Sequence, residues 1–413
     1  MKRISLNTRG YLAGIGIVLF VILVMLHDQD ANLSDPSKDE TIAWTHNPQQ
    51  VRSFQFLEQA ENPEYRDFTA IPWAVTYSPL TEEGHCIPKE DITKDLNDII
   101  DAGIKAVRFF SVDCAVLDAY DDLEYEGEEL EIILGLHPYP VVDSEEQEPN
   151  LSHYIKSINL QLAEISAWNR WDRIAMLVVG SQGVHHERYS RSELVRMIRY
   201  VRLHLESEQG FRGLITTVEP VQSWASPTKY NAASIAEYKE FQQRTAPWQK
   251  PIEGIDDHNS EDDDFDISNI EDNDLCAVVD IVSLTIQPYF NSGLYPDESG
   301  RLIERDVKFV KYLCSDDFIG RAHREENDAN LQRDNSPPVA ILEAGWPKAG
   351  RHNGNAVPGR NNQILAINSM LTAYDSHSGT RIPVTLHSYQ DEVWLDESPM
   401  AVEKSFGIRH LYT

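Results

Sequence analysis

The sequence is poor in positive charge and in the short motifs that announce a cofactor. Against 67 Asp+Glu stand only 36 Lys+Arg, a formal net charge of −31 over 413 residues. A surface of that sign repels phosphate backbones at long range, so nucleic acid is excluded as the expected partner and a neutral ligand is favoured over an anionic one. No G-x-G-x-x-G follows the first predicted strand, which removes the usual dinucleotide-binding sheet. There is no C-x-x-C pair of the zinc or redox kind and no internal repeat. Residues 256–274 carry ten carboxylates but lack the alternating Asp/Asn ladder with a central Gly that a calcium loop needs. They read as a solvated loop, an acidic insertion at about 254–275. With hydrophobic residues at 41% and charged ones at 25%, the composition is nonetheless globular.

The one long apolar run lies at the N-terminus. Lys2, Arg3 and Arg9 precede a stretch from Gly10 to His27 without a charged residue, and Asp28 and Asp30 follow it. A helix of about 18 residues reaches roughly 27 Å, enough for a bilayer core, and basic residues on one side only keep that side cytoplasmic. Residues 10–27 are therefore expected to be a transmembrane signal anchor, with 1–9 cytoplasmic, 28–65 a polar stalk, and 66–413 an exoplasmic domain. Secretion after cleavage is the alternative, against which His27 to Ser34 offer no A-x-A-like site. Asn32-Leu33-Ser34 and Asn150-Leu151-Ser152 are glycosylation acceptor patterns, permissive for that compartment. Cys86, Cys114, Cys276 and Cys314 are even in number and allow three pairings. Cys86 with Cys114 and Cys276 with Cys314 is favoured, each being the nearer partner in sequence, and buried free thiols are the alternative.

Beyond the stalk, eight Val/Ile-rich and aromatic runs read as strands: 70–77, 104–112, 131–139, 173–182, 213–219, 278–289, 338–346 and 382–389. Helical spacing of apolar residues falls between them at 89–102, 152–168, 192–206, 302–313 and 361–374. Near-continuous apolar strands alternating with helices mean a parallel sheet covered by helices, and eight repeats fit a (β/α)₈ TIM barrel. An open doubly wound sheet is the alternative.

Catalytic groups of such a barrel sit at the C-terminal ends of the strands. Those ends offer Tyr77, Asp113, His137, Tyr139, Gln182, Glu219, Tyr289, Glu343 with Trp346, and His387 through Glu392. Aromatics interspersed with carboxylates suit a sugar, whose apolar faces stack on rings while its hydroxyls take polar groups. Each aromatic could equally be core, and Asp113 could cap a helix. A carboxylate at the end of an apolar strand, as Glu343 is, costs too much to bury for structure alone. His185-His186-Glu187 could hold a metal, but adjacent histidines point apart, and a solvated loop is the preferred reading.

Several of these residues resemble a known family. Ala74-Val75-Thr76-Tyr77-Ser78-Pro79, Cys86, and Val107-Arg108-Phe109-Phe110-Ser111-Val112-Asp113-Cys114 are similar to the opening of glycoside hydrolase family 17, the β-1,3-glucanases and glucanosyltransferases, in its fungal branch. Leu342-Glu343-Ala344-Gly345-Trp346-Pro347 resembles the family's E-[TS]-G-W-P nucleophile motif. Ile286-Gln287-Pro288-Tyr289-Phe290 looks like its sixth-strand segment, and Asp391-Glu392-Val393-Trp394, followed by Glu403 and Gly407, like its closing D-E-P-W segment. The motifs recur in order from about Ala70 onward.

The resemblance implies a retaining mechanism on cell-wall β-1,3-glucan without metal or cofactor, two carboxyl groups about 5–5.5 Å apart flanking the scissile bond. Glu343 matches the nucleophile, and Tyr77, Asp113, Tyr289 and Trp346 are the expected substrate-binding residues. Where the family carries its acid/base in V-G-N-E or V-G-S-E, this chain reads Val179-Gly180-Ser181-Gln182, and an amide cannot deliver a proton as a carboxylic acid can. The family's further glutamate on the eighth strand aligns with Ser388. Three readings of Gln182 stand: Glu187 or Glu219 substitutes as acid, the barrel binds glucan without turnover, or the glutamine is an alteration of the natural residue.

Overall fold

The apolar runs form strands and the stretches with three- or four-residue apolar spacing form helices, as their periodicities dictate. The computed structural model describes residues 71–123, 130–142, 149–205, 211–224, 274–314, 337–376, 379–395 and 399–412. The expected anchor 10–27, the stalk 28–65, Asn32 and the acidic insertion up to residue 273 lie outside the described residues. Among the described residues no helix is long and apolar enough to cross a membrane.

Eight strands are parallel and close into a barrel: β1 Ala74–Tyr77, β2 Ala106–Phe109, β3 Glu131–Leu136, β4 Ile174–Ser181, β5 Leu214–Glu219, β6 Val282–Thr285, β7 Val339–Ala344 and β8 Val384–Leu386. β1 pairs with β2 on one side and with β8 on the other, which is the closure that separates a barrel from an open sheet. An outer layer includes α1 Lys89–Asp101, α2 Val116–Asp121, α3 Leu151–Trp168, α4 Arg191–Leu205, α5 Ser299–Leu313 and α6 Arg360–Leu371.

Every strand is shorter than its apolar run. The sixth is the clearest case: expected over 278–289, it stops at Thr285, because Pro288 has no N–H for a ladder and opens a 3₁₀ turn over Pro288–Phe290. The seventh stops at Ala344, ahead of Gly345-Trp346-Pro347.

Two apolar layers follow from the alternation of side chains along each strand. Ala74, Ala106, Ile133, Met176, Val178, Val218, Ala340 and Leu342 fill the barrel interior. Their neighbours Val75, Val107, Ile132, Leu134, Leu177, Val179 and Ile341 join Ile92, Leu96, Ile158, Leu162, Leu194 and Ile303 of the helices in the outer core. α3 begins on Asn150, an exposed N-cap whose side-chain oxygen accepts from the Ser152 amide at 3.0 Å, worth about 1 kcal/mol.

Both disulfides pair as favoured, Cys86 with Cys114 and Cys276 with Cys314, with Cα–Cα separations of 5.1 and 5.4 Å. The first links the loops after β1 and β2 at the C-terminal rim, and the second ties the approach to β6 to the end of α5. Such bonds persist in oxidising compartments, in keeping with a secretory or extracellular protein. The second closes a separation of 38 residues. Replacing Cys276 and Cys314 together by serine should cost about 2–4 kcal/mol, read from the midpoint and slope of urea unfolding.

Candidate functional site

The C-terminal rim is shaped by register slips on two strands, β7 and β4. On β2, Ala106 faces the interior, so Arg108, two residues on, does too. On β7 the same phase turns Ala340 and Leu342 inward and would leave Glu343 outward. The pairing slips at that point against both neighbours, Leu284↔Ile341 being followed by Thr285↔Glu343, and Val384↔Ile341 by Leu386↔Ala344. Slips of this kind re-aim a side chain, and Glu343 comes to meet Arg108. β4 does likewise: its register against β5 shifts between Val178 and Ser181, where Gly180 takes φ +75°, a conformation that favours glycine. Ser181 and Gln182 are thereby brought to the same place as Glu343.

The Glu343 carboxylate is buried and held from both sides. Arg108 Nη1 donates to Oε2 at 3.2 Å and to the Leu342 carbonyl at 2.7 Å, while Nη2 donates to Ser181 Oγ at 3.2 Å. Gln182 Nε2 donates to Glu343 Oε1 at 3.3 Å, and a carboxylate partner requires the amide's nitrogen on that side. The guanidinium also lies over the Phe110 ring, 4.7 Å from its centroid. Burial lowers the Arg108 pKa, with Glu343 and Glu392 opposing. Sequence reasoning placed Arg108 in a motif but gave it no role; its signal was a lone cation inside an apolar strand, which must find a partner.

Of the two proposed substitute acids, neither stands with a free carboxyl beside Glu343. Glu219, at the end of β5, is fully buried and accepts from the amides of Val184 at 2.9 Å and His185 at 3.1 Å. Burial raises its pKa, and those amides pull the other way. It fastens the loop after β4 to β5. Glu187 is exposed at the far side of that loop, with φ +53°. The loop turns tightly: Gln182 N donates to Val218 O at 2.7 Å, His186 N to Gln182 O at 3.0 Å, and Arg188 N to Gly183 O at 2.9 Å. His186 is so carried back over Gln182. Its half-buried imidazole is lowered to about 4, first by burial, then by His185 and Arg188, with the Glu343 charge opposing.

A second carboxylate sits on the β8 side of the rim. Glu392 is buried, accepts from Ser78 Oγ at 2.6 Å and lies 3.6 Å from His387 Nε2, whose Nδ1 meets Thr76 Oγ1 at 3.1 Å. Ser388, where the alignment put the missing glutamate, is buried with its hydroxyl on the Gln390 carbonyl at 2.5 Å. The rim acid on this side thus comes four residues later. Sequence reasoning set His387 and Glu392 at a strand end and Thr76 and Ser78 in a motif, but assigned none of the four a particular role.

The expected stacking aromatics are core. Tyr77 shares the outward phase of Val75, is 1% exposed and donates to Asp95 of α1 at 2.9 Å. Tyr289 and Trp346 are 0% exposed, pack edge to face with centroids 5.8 Å apart, and brace the loop after β7: Tyr289 donates to the Arg351 carbonyl and Trp346 Nε1 to Val357 O at 3.1 Å. Asp113 stays on the rim, exposed, accepting from Ser111 Oγ at 2.8 Å. The rings open to solvent at the strand ends are instead Tyr139, stacked with His137 at 6.5 Å, and Phe290. Among the described residues no cluster of His, Cys, Asp and Glu is arranged to hold a metal ion, His185 and His186 included.

Comparison with known proteins agrees with this architecture. The model of the BtgE/BtgC glycoside hydrolase domain matches residues 74–238 and 242–407. The chain is 26% identical over 351 residues to a probable beta-glucosidase btgE of Aspergillus flavus, covering 82% of this chain and 43% of that protein. It is 25% identical over 338 residues to the Aspergillus fumigatus counterpart, covering 81% and 44%. The chain spans less than half the length of these curated relatives. Among solved structures, the family 17 β-1,3-glucanosyltransferase of Rhizomucor miehei superposes with a TM-score of 0.53 at 16% identity, over 81% of this chain and 92% of that one. An endo-laminarinase from Formosa gives 0.53 at 13%, over 81% and 82%. At those identities the likeness is one of fold.

Proposed function

The chain belongs to the BtgE/BtgC glycoside hydrolase domain family, and from that premise we propose that its cleft takes β-1,3-linked glucan and that Glu343 is the nucleophile of a retaining site whose acid/base position is filled by Gln182. One contact carries this reading, the Gln182 amide on the Glu343 carboxylate at 3.3 Å. Side chains that touch across the cleft belong to the close spacing of retaining pairs, not to the wider one of about 6.5–9.5 Å that leaves room for a water. Arg108 aligns the carboxylate through Oε2, so Oε1, on the Gln182 side, is the oxygen placed to attack the anomeric carbon. A β-1,3-glucanosyltransferase of this fold is known in complex with laminaritriose, which supports glucan as the ligand. The two disulfides fit an exoplasmic barrel, and an anchor over residues 10–27 would hold it against the cell wall.

The same contact favours a second reading, binding without turnover. Unassisted departure of a sugar hydroxyl forgoes the about 10²–10⁴-fold that general acid help supplies. Incubation with a 2-deoxy-2-fluoro-β-laminaribiosyl donor bearing a dinitrophenolate leaving group, which needs no acid to depart, tests Glu343 as nucleophile, and product release from laminaritetraose separates turnover from binding. We expect a mass increment of one fluorinated disaccharide on the peptide containing Glu343, absent in Glu343→Gln. Calorimetric binding of laminari-oligosaccharides without product release would instead establish the binding protein.

A further inference from the structure

A carboxylate withdrawn from water needs hydrogen bonds on both of its oxygens, and one at this rim has them on only one. Glu392 is 5% exposed. Its Oε1 accepts from Ser78 Oγ at 2.6 Å, but among the described residues Oε2 accepts no hydrogen bond. His387 Nε2 faces Oε2 at 3.6 Å, which is too far for one.

The strand ladder sets this pair beside Glu343. On β1 Ala74 faces the barrel interior, so Thr76 does too, and its Cα partner across the ladder is Arg108, the residue that holds the Glu343 carboxylate at 3.2 Å. On the other side, β8 pairs Leu386 with Ala344, the neighbour of Glu343, and the His387 amide donates to the Ala344 carbonyl at 2.7 Å. Thr76 Oγ1 meets His387 Nδ1 at 3.1 Å. Hydrogen bonds and ladder pairings thus run without a break from Glu343 to Glu392.

The same contacts fix the imidazole. Phe406 packs against it, with ring centroids 5.5 Å apart. A carboxylate on the Nε2 side assigns the proton to Nε2, and Nδ1 then accepts from the Thr76 hydroxyl. What results is a fixed N–H donor and a fixed anionic acceptor, 3.6 Å apart and not bonded to each other. A hydroxyl oxygen about 2.8 Å from each accepts from Nε2 and donates to Oε2 at once. An anion would be repelled by the carboxylate and a cation by the N–H, so the pair suits a neutral hydroxyl.

We propose that His387 and Glu392 form a two-pronged subsite that reads one free hydroxyl of a glucosyl unit seated beside Glu343, and so help to set which sugars the cleft accepts. The inference rests on glucan being the ligand. An internal unit of a β-1,3-linked chain keeps its hydroxyls at positions 2, 4 and 6, and the pair serves one of these. A sugar that lacks this hydroxyl leaves the buried Oε2 without a partner, which is how a polar site rejects an analogue.

Calorimetric titration of the full chain with laminaritriose, and with derivatives deoxygenated singly at position 2, 4 or 6 of each unit, tests it. For one derivative the native protein should bind about 10–100-fold more weakly than for laminaritriose, the loss expected for a hydrogen bond to a charged group. In Glu392→Gln, and in His387→Phe, which keeps a ring against Phe406, laminaritriose itself should weaken by about that factor and the same derivative should lose little more. A merely structural role for the pair would not couple one side chain to one ligand oxygen in this way. His387→Gln, whose amide nitrogen can stand where Nε2 stood, should recover part of the loss. Equal binding of every derivative by the native protein overturns the inference. So does a penalty that stays the same in both variants, which would place the hydroxyl elsewhere and leave the pair to water. A native protein without affinity for laminaritriose fails earlier, at glucan as the ligand, and takes this inference with it; affinity without coupling fails the inference alone.

Discussion

Gln182→Glu should raise turnover of laminari-oligosaccharides by about 10²–10⁴-fold, the range that a positioned general acid contributes. The reason is local. The side chain at 182 already touches Glu343 Oε1 at 3.3 Å, its backbone is fixed by the Val218 carbonyl, and glutamate differs from glutamine by one atom, so the acid would be restored without moving the loop. Two carboxyl groups in contact cannot both ionise freely, so the pair would titrate in two coupled steps with one pKa raised, leaving an acid and a nucleophile in the same cleft. The rate should therefore follow a bell with pH. The upper limb marks the loss of the acid's proton. Because a raised carboxyl pKa stabilises the fold below it and not above, the variant should lose stability relative to the native protein as pH rises through that limb. Reducing-end assays with laminaritetraose against pH read the rate, and thermal melts at the same pH values read the stability. Activity unchanged by the substitution would mean that the native protein already holds an acid elsewhere, and would remove Gln182 as the missing group.

The barrel could be read from the sequence because each strand is a short apolar run and each helix has its own period, both local properties. Which face of a strand meets the cleft is not local. In a parallel sheet buried on both sides, apolar residues occupy both phases, and Tyr77, taken for a stacking ring, has the phase of Val75 and packs on α1. The register slips that turn Glu343 and Gln182 into the same cleft are pairings with neighbouring strands; Gly180 marks the one on β4 in its own segment, and the one on β7 has no such mark. Motif resemblance compensated for this at Glu343 and Gln182, since a motif carries tertiary information that periodicity lacks. Near the eighth strand the buried acid is Glu392, in the closing segment that the resemblance had quoted, bonded to Ser78 from 314 residues away. The site residues best hidden from the sequence are those whose meaning lies wholly in such distant partners.

Arg108 is the sharpest instance, and its removal should have the largest effect on stability. The guanidinium is 1% exposed and its three hydrogen bonds end on β4 and β7, so it links three strands of the barrel through Glu343 and its neighbours. Arg108→Met keeps the length and apolar stem but leaves Glu343 buried with, among the described residues, only the Gln182 amide as donor. Breaking a buried pair by removing one partner typically costs about 3–5 kcal/mol, because the other charge is left without compensation. The same substitution in a Glu343→Gln background should cost less, since no charge is then stranded. The difference between the two, a double-mutant cycle read from denaturant unfolding, isolates the pair and should amount to at least about 1 kcal/mol. Equal costs in both backgrounds would show that Arg108 serves the fold through the Leu342 carbonyl and Ser181 alone. A positive coupling instead ties the stability of the barrel to the charge on Glu343. It would give a strand this apolar a physical reason to carry an arginine.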